Sequence, residues 1–273
     1  MKRALSIVGV ICVSAVLSAA QAVPQGVITA SLKSEALGKE VSYQVVLPED
    51  YEKSRLRYPV LYLLHGYGGH YFHWLWRTNL AEHVRRLPVI VVLPEGENLY
   101  YVNSPKGKEE DHIIKELIPA VDHTYRTITL GGGRAIAGLS MGGYGALLLG
   151  LKHPELFALA GSFSGGVAAP QSESENSKEI FGAMGSPLRK ENDLLELIKT
   201  GKPPLPFLYV SCGTEDRGLE ANRRLVQALY AAKIPYEYRE LPGAHTWYFW
   251  DDQVQQLLEV LRRIGFTRSV ERP

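Results

Sequence analysis

The chain has 273 residues, 45% of them hydrophobic, enough for one large core or two small domains. No internal repeat or long linker divides it, so a single domain is expected. With 30 Lys and Arg against 29 Asp and Glu, a formal net charge of +1, it has no excess of basic residues with which to hold nucleic acid or an anionic membrane.

The first 22 residues, MKRALSIVGVICVSAVLSAAQA, combine a basic start, an apolar run and the small-x-small tripeptide Ala20-Gln21-Ala22, the pattern of a secretory signal peptide cleaved after Ala22. The run from Leu5 to Ala20 is interrupted by Ser and Gly and falls short of the ~20 apolar residues of a membrane span. Cys12 lacks the small-residue context of a lipid-modified cysteine. The expectation is an exported protein, periplasmic or extracellular, with one domain over residues 23–273 and no stable membrane insertion. Loss of Lys2 and Arg3 leaves 28 basic residues against 29 acidic, a formal charge of −1. Loss of Cys12 leaves Cys212 without a partner for a disulfide. Its place in the apolar run PFLYVSCG reads as a buried strand cysteine.

Predicted strands then follow at Val41–Pro48, Tyr58–Gly66, Pro88–Gly96, Arg134–Ser140, Phe157–Gly165, Pro206–Gly213 and Pro235–Gly243. The first alternates partly and suits an antiparallel edge, whereas the later ones are near-continuous apolar runs, as parallel strands covered on both faces require. Helical patterns lie between them, at Lys108–Tyr125 with Ile113, Ile114, Leu117 and Val121 on one face, and at Gly142–Lys152, Leu219–Lys233 and Phe249–Ile264. This alternation predicts a mostly parallel sheet with helices on both faces and chemistry at the carboxyl ends of the strands. Ala168 to Pro206 breaks the alternation with APQSESENSKE and GKPPLP. It is expected to be a solvated excursion with a helix near Asp193–Lys199, too short for a separate cap domain.

Gly138-Leu139-Ser140-Met141-Gly142 sits between an apolar strand and a small-residue helix, the context of a nucleophile elbow. The tight turn lifts the serine hydroxyl clear of the sheet, and side chains at the flanking glycines would collide with neighbouring elements. A serine attacks only when a base takes its proton, and in this architecture the order is Ser, acid, His. His245, in LPGAHTWYFW, is the histidine in the right place. For the acid, Glu215 and Asp216 share the loop after the strand and spacing does not separate them. Asp216 is preferred, and Glu220 falls inside the next helix. Backbone donors for an oxyanion are expected from Met141 and from the loop LLHGYGG, at Tyr67 first and Gly68 next. His65 is read as structural because it precedes the nucleophile.

Together, YLLHGYGG, HWLWRTNL, AGLSMGGYGAL, HPELFALAGSFSGG, CGTED and PGAHTWYFWDD resemble the esterase D and tributyrin esterase group of α/β-hydrolases, related to feruloyl esterases, S-formylglutathione hydrolases and mycolyltransferases. The resemblance covers nearly the whole chain after residue 22. It implies an α/β-hydrolase fold and carboxylic ester hydrolysis without metal or cofactor. It also implies Asp216 as the acid, at the end of CGTED.

Six aromatic residues, Trp74, Trp76, Tyr100, Tyr101, Trp247 and Trp250, fall near predicted loops or the last helix. Trp74, Tyr101 and Trp247 are taken as the substrate-binding candidates. A short acyl chain or a hydroxycinnamoyl group would suit such a pocket, on a small-molecule or glycan-linked ester. Two rival readings remain: an acyltransferase that uses the same three residues, and a non-catalytic binding module on the hydrolase fold.

Overall fold

A computed structural model describes residues 26–201, 203–266, 268 and 270; the expected signal peptide lies outside the described residues. In chain order the strands are β1 (Val27–Ser34), β2 (Lys39–Val46), β3 (Val60–Leu64), β4 (Ile90–Pro94), β5 (Asn103–Ser104), β6 (Gly107–Lys108), β7 (Arg134–Leu139), β8 (Leu159–Phe163), β9 (Phe207–Gly213) and β10 (Tyr236–Leu241). Eight of them form one sheet in the order β1-β2-β4-β3-β7-β8-β9-β10, while β5 and β6 pair as a separate small hairpin. From β4 to β10 every neighbour is parallel. Only β2 runs against the rest, antiparallel to β1 on one side and to β4 on the other.

The apolar runs make parallel strands because both of their faces are covered. In β3, Tyr62 and Leu64 enter the core on one face of the sheet, and Leu61 and Leu63 enter the core on the other, the two-residue alternation of a strand. The helices Met141–Lys152 and Leu219–Ala231 cover the first face. The long helix Trp247–Arg263 covers the second with Phe249, Trp250, Val254, Leu257, Leu258 and Leu261. Cys212 is buried, with its thiol pushed up to about 12 by burial.

Three expectations change. Strand β2 is not the edge: β1 pairs outside it from Val27↔Val46 to Ser34↔Lys39. The sequence VITASLKS hides this strand because most of its side chains face solvent. The stretch from Ala168 to Pro206 has the expected helix, at Leu194–Thr200, and a largely exposed polar run, but it adds two helices, Glu175–Phe181 and Pro187–Glu191, and packs on the core. Ser174, Ser186 and Asp193 cap them with side-chain oxygens. Ile180, Phe181, Leu194 and Ile198 reach the core. The buried Arg189 guanidinium donates to the carbonyls of Pro170, Ser172 and Gly182. Finally, the helix expected at Lys108–Tyr125 spans Glu109–Thr124 but widens to a π-helix over His112–Leu117. Among the described residues no separate cap stands over the sheet.

Candidate active site

The carboxyl ends of four strands converge. β7 ends at Leu139 and the chain turns at once into the helix Met141–Lys152, with Ser140 in the turn at φ 52° and ψ −115°. A non-glycine residue at positive φ is held there against its preference. The flanking glycines are required by space. A Cβ on Gly138 would lie 2.6 Å from the backbone of Gly142, and one on Gly142 would lie 2.5 Å from the His65 carbonyl oxygen.

β9 delivers Asp216 and β10 delivers His245, each in the loop that follows its strand. His245 Nε2 lies 2.9 Å from Ser140 Oγ, and His245 Nδ1 lies 2.7 Å from Asp216 Oδ2. The other carboxylate oxygen, Oδ1, accepts the Gly218 N–H at 2.7 Å. Asp216 is 5% exposed and Glu215 is exposed. Burial pushes the Asp216 carboxyl up, but the hydrogen bond from His245 and the Gly218 amide outweigh it and hold it below its ordinary range. This chain of bonds can move a proton from the serine hydroxyl to the imidazole while the carboxylate orients the ring.

The loop after β3 supplies the facing wall. The N–H of Tyr67 has no acceptor among the described residues, and neither has that of Met141 at the first position of its helix. Gly68, the second choice for a donor, is corrected: its N–H is already given to Asn98 Oδ1 at 2.6 Å. The Gly69 N–H goes to the Gly66 carbonyl. His65 is fully buried, with Nδ1 against the Gly66 carbonyl oxygen and Nε2 accepting the Gly96 N–H, so its side chain is structural.

The cleft beside Ser140 has a volume of about 400 Å³ and is lined by Tyr67, His73, Arg77, Arg217, His245, Trp247 and Trp250 together with the 66–69 backbone. Trp247 therefore stands where a substrate can touch it. Trp74 and Tyr101 do not, and both are corrected to core positions. Trp74 is fully buried behind Trp247, edge-on to it at 5.5 Å, with its indole N–H donated to the Leu64 carbonyl. Tyr101 is fully buried and gives its hydroxyl to the His65 carbonyl. Trp250 meets the His245 ring edge-on at 4.9 Å, and its buried indole N–H has no acceptor among the described residues. Sequence reasoning missed Asn98 and Arg217, which lie in no quoted motif, and His73 and Arg77, which lie inside HWLWRTNL beside the tryptophans that drew the attention. For Asn98 the asparagine before Tyr100 and Tyr101 was a turn signal, since all three adopt positive φ. Among the described residues no cluster of His, Cys, Asp or Glu has the geometry to hold a metal ion, and no helix is long and apolar enough to cross a membrane.

Comparison with known proteins places this chain in a family. A family model described as "Putative esterase" matches residues 34–261. An acetyl esterase of Caldicellulosiruptor saccharolyticus is 28% identical over 85% of this chain and 96% of its own length. An endo-1,4-beta-xylanase/feruloyl esterase of Xylanibacter ruminicola is 31% identical over 84% of this chain, which spans only 30% of that longer protein. Among solved structures, a ferulic acid esterase superposes with a TM-score of 0.78 at 29% identity, covering 87% of this chain and 97% of the other. The chain belongs to this esterase family, and it is a carboxylic ester hydrolase with the α/β-hydrolase fold.

Proposed function

We propose that Ser140, His245 and Asp216 are the nucleophile, general base and orienting acid of a serine esterase acting through an acyl-enzyme. His245 Nε2 takes the proton as Ser140 Oγ attacks the ester carbonyl, and the developing oxyanion is met by the N–H groups of Met141 and Tyr67. The imidazolium then protonates the leaving alcohol, and the same base activates the water that releases the acid. The observation that carries the reading is the continuous pair of contacts, 2.9 Å from Ser140 to His245 and 2.7 Å from His245 to Asp216, at a serine held at φ 52° on the wall of an open cleft.

Short acyl and hydroxycinnamoyl esters, small or glycan-linked, are the proposed substrates. The half-buried Trp247 beside the hydroxyl supports them, as do the names of the acetyl and ferulic acid esterases above. The first 22 residues are proposed to direct export and to be removed, leaving one esterase domain over 23–273.

The test is labelling by a serine-directed fluorophosphonate, compared between the parent and Ser140→Ala, followed by an ester panel that varies acyl length and aromaticity. Labelling lost with Ser140, together with turnover on part of the panel, is the expected result. A parent that neither labels nor hydrolyses would leave a binding module. Product partition toward an added alcohol would identify a transferase instead.

A further inference from the structure

The wall of the cleft is charged with one sign. Arg77 ends the helix His73–Arg77, just after the loop that carries Tyr67. Arg217 directly follows Asp216. Both are exposed, both line the cleft with Ser140 and His245, and no Asp or Glu lines it with them. Among the described residues neither guanidinium has a carboxylate within 4 Å, as is also true of Arg86 and Arg224, but only Arg77 and Arg217 line the cleft.

Two acids beside the cleft are already engaged, and the exposed Glu215, two residues before Arg217, does not line it. The Asp216 side chain is fully buried against His245 and Gly218. Glu95 accepts from His70 and from the Tyr71 N–H. His73, also on the wall, is driven toward its neutral form by burial and then by the positive neighbours His70 and Arg77. Two unneutralised guanidinium groups in a concave, aromatic-lined site focus a positive potential on whatever enters. An arginine fork matches a carboxylate in shape as well as in charge.

We propose that the ester this cleft takes carries an anionic group, a carboxylate close to the scissile bond, and that Arg77 and Arg217 are the residues that select it. The proposal rests on the esterase reading of the same site. A plain neutral ester would leave both charges without a partner.

The experiment compares kcat/KM on two size-matched pairs: 4-nitrophenyl butyrate against 4-nitrophenyl hemisuccinate, with the charge on the acyl side, and phenyl acetate against 3-carboxyphenyl acetate, with the charge on the leaving group. At low salt the charged member of one pair is expected to exceed its neutral partner about tenfold, with the advantage shrinking in about 0.5 M NaCl. Arg77→Gln and Arg217→Gln should each bring that ratio toward one by about fivefold. Arg86→Gln, which removes an equal charge away from the cleft, should leave the ratio where it was. Turnover of neutral esters with no charge preference on either side, or a preference that survives both cleft substitutions or falls equally with Arg86→Gln, overturns the proposal alone. No turnover of any of the four, with no fluorophosphonate labelling, overturns the esterase reading and this proposal with it.

Discussion

Asn98 Oδ1 accepts the backbone N–H of Gly68 at 2.6 Å, so a residue from the segment after β4 holds the loop after β3. Asn98 sits at φ 61°, a conformation that asparagine tolerates better than most residues. The preceding N–H, that of Tyr67, has no acceptor among the described residues. Asn98→Gly keeps the backbone accessible and removes only the acceptor. It is expected to lower kcat about tenfold with little change in KM, because a mispositioned oxyanion donor acts on the transition state. Steady-state kinetics on a neutral ester checks this. Unchanged kcat would mean that the loop is held without Asn98.

The strain at Ser140 can be read separately from its chemistry. Ser140→Ala and Ser140→Gly both remove the hydroxyl and its bond to His245, but only glycine relaxes φ 52°. Both should lose fluorophosphonate labelling. The glycine variant should be more stable than the alanine variant by about 1 kcal/mol in chemical denaturation. Equal stabilities would show that the turn is unstrained.

Asp216→Asn should cut kcat by about 10⁴, the scale known for loss of an orienting carboxylate in serine hydrolases. Glu215→Gln, at an exposed side chain, should change it less than about threefold. Asp216 also contributes to stability with a definite sign. Its folded-state pKa lies below its ordinary value of 3.8, so its contribution is complete above that value and is lost as pH falls through the folded pKa. Denaturation of the parent and Asp216→Asn should therefore converge only in strong acid.

Glu109 runs the other way. It is 1% exposed, and burial pushes its carboxyl from 4.5 up to about 7, against the pull of the backbone N–H groups of Glu97 and Tyr101. Folding therefore takes up a proton between those two values. The associated stability is complete below pH 4.5 and is lost as pH rises through 7, to the extent of about 3 kcal/mol. The stability difference between parent and Glu109→Gln should shrink by that amount from pH 4.5 to pH 8, and a pH-independent difference would be the contrary result.

The elbow was legible because its requirement is local: the five residues Gly138 to Gly142 have to make a tight turn between a strand and a helix, and only small residues fit at its flanks. Chain order pointed to His245 and to the loop of Glu215 and Asp216, since parallel strands bring successive carboxyl ends to one side of the sheet, while the preference for Asp216 drew on the family resemblance. What sequence could not supply was the destination of each aromatic ring. Trp74 and Trp247 look alike on paper, yet one is stacked behind the other, and which is in front depends on how the helix His73–Arg77 packs against the last helix. Strand β1 escaped for a related reason, because an outer strand with solvent on one side carries no apolar run. Asn98, Arg77 and Arg217 matter through neighbours far away in sequence, and no spacing rule points to them.

Among the described residues the outermost parallel strand, β10, pairs with β9 alone, and the loop after it carries the proposed base. His245 is 105 positions downstream of Ser140. A ribosome adding about 5–20 residues per second takes on the order of 5–20 s to cover that distance. Throughout that interval the nascent chain holds a serine with no proton acceptor and a cleft missing the wall that Trp247 and Trp250 provide. On the proposed assignment of His245, incomplete products of synthesis are expected to be silent, with hydrolytic activity beginning only when the last strand has docked.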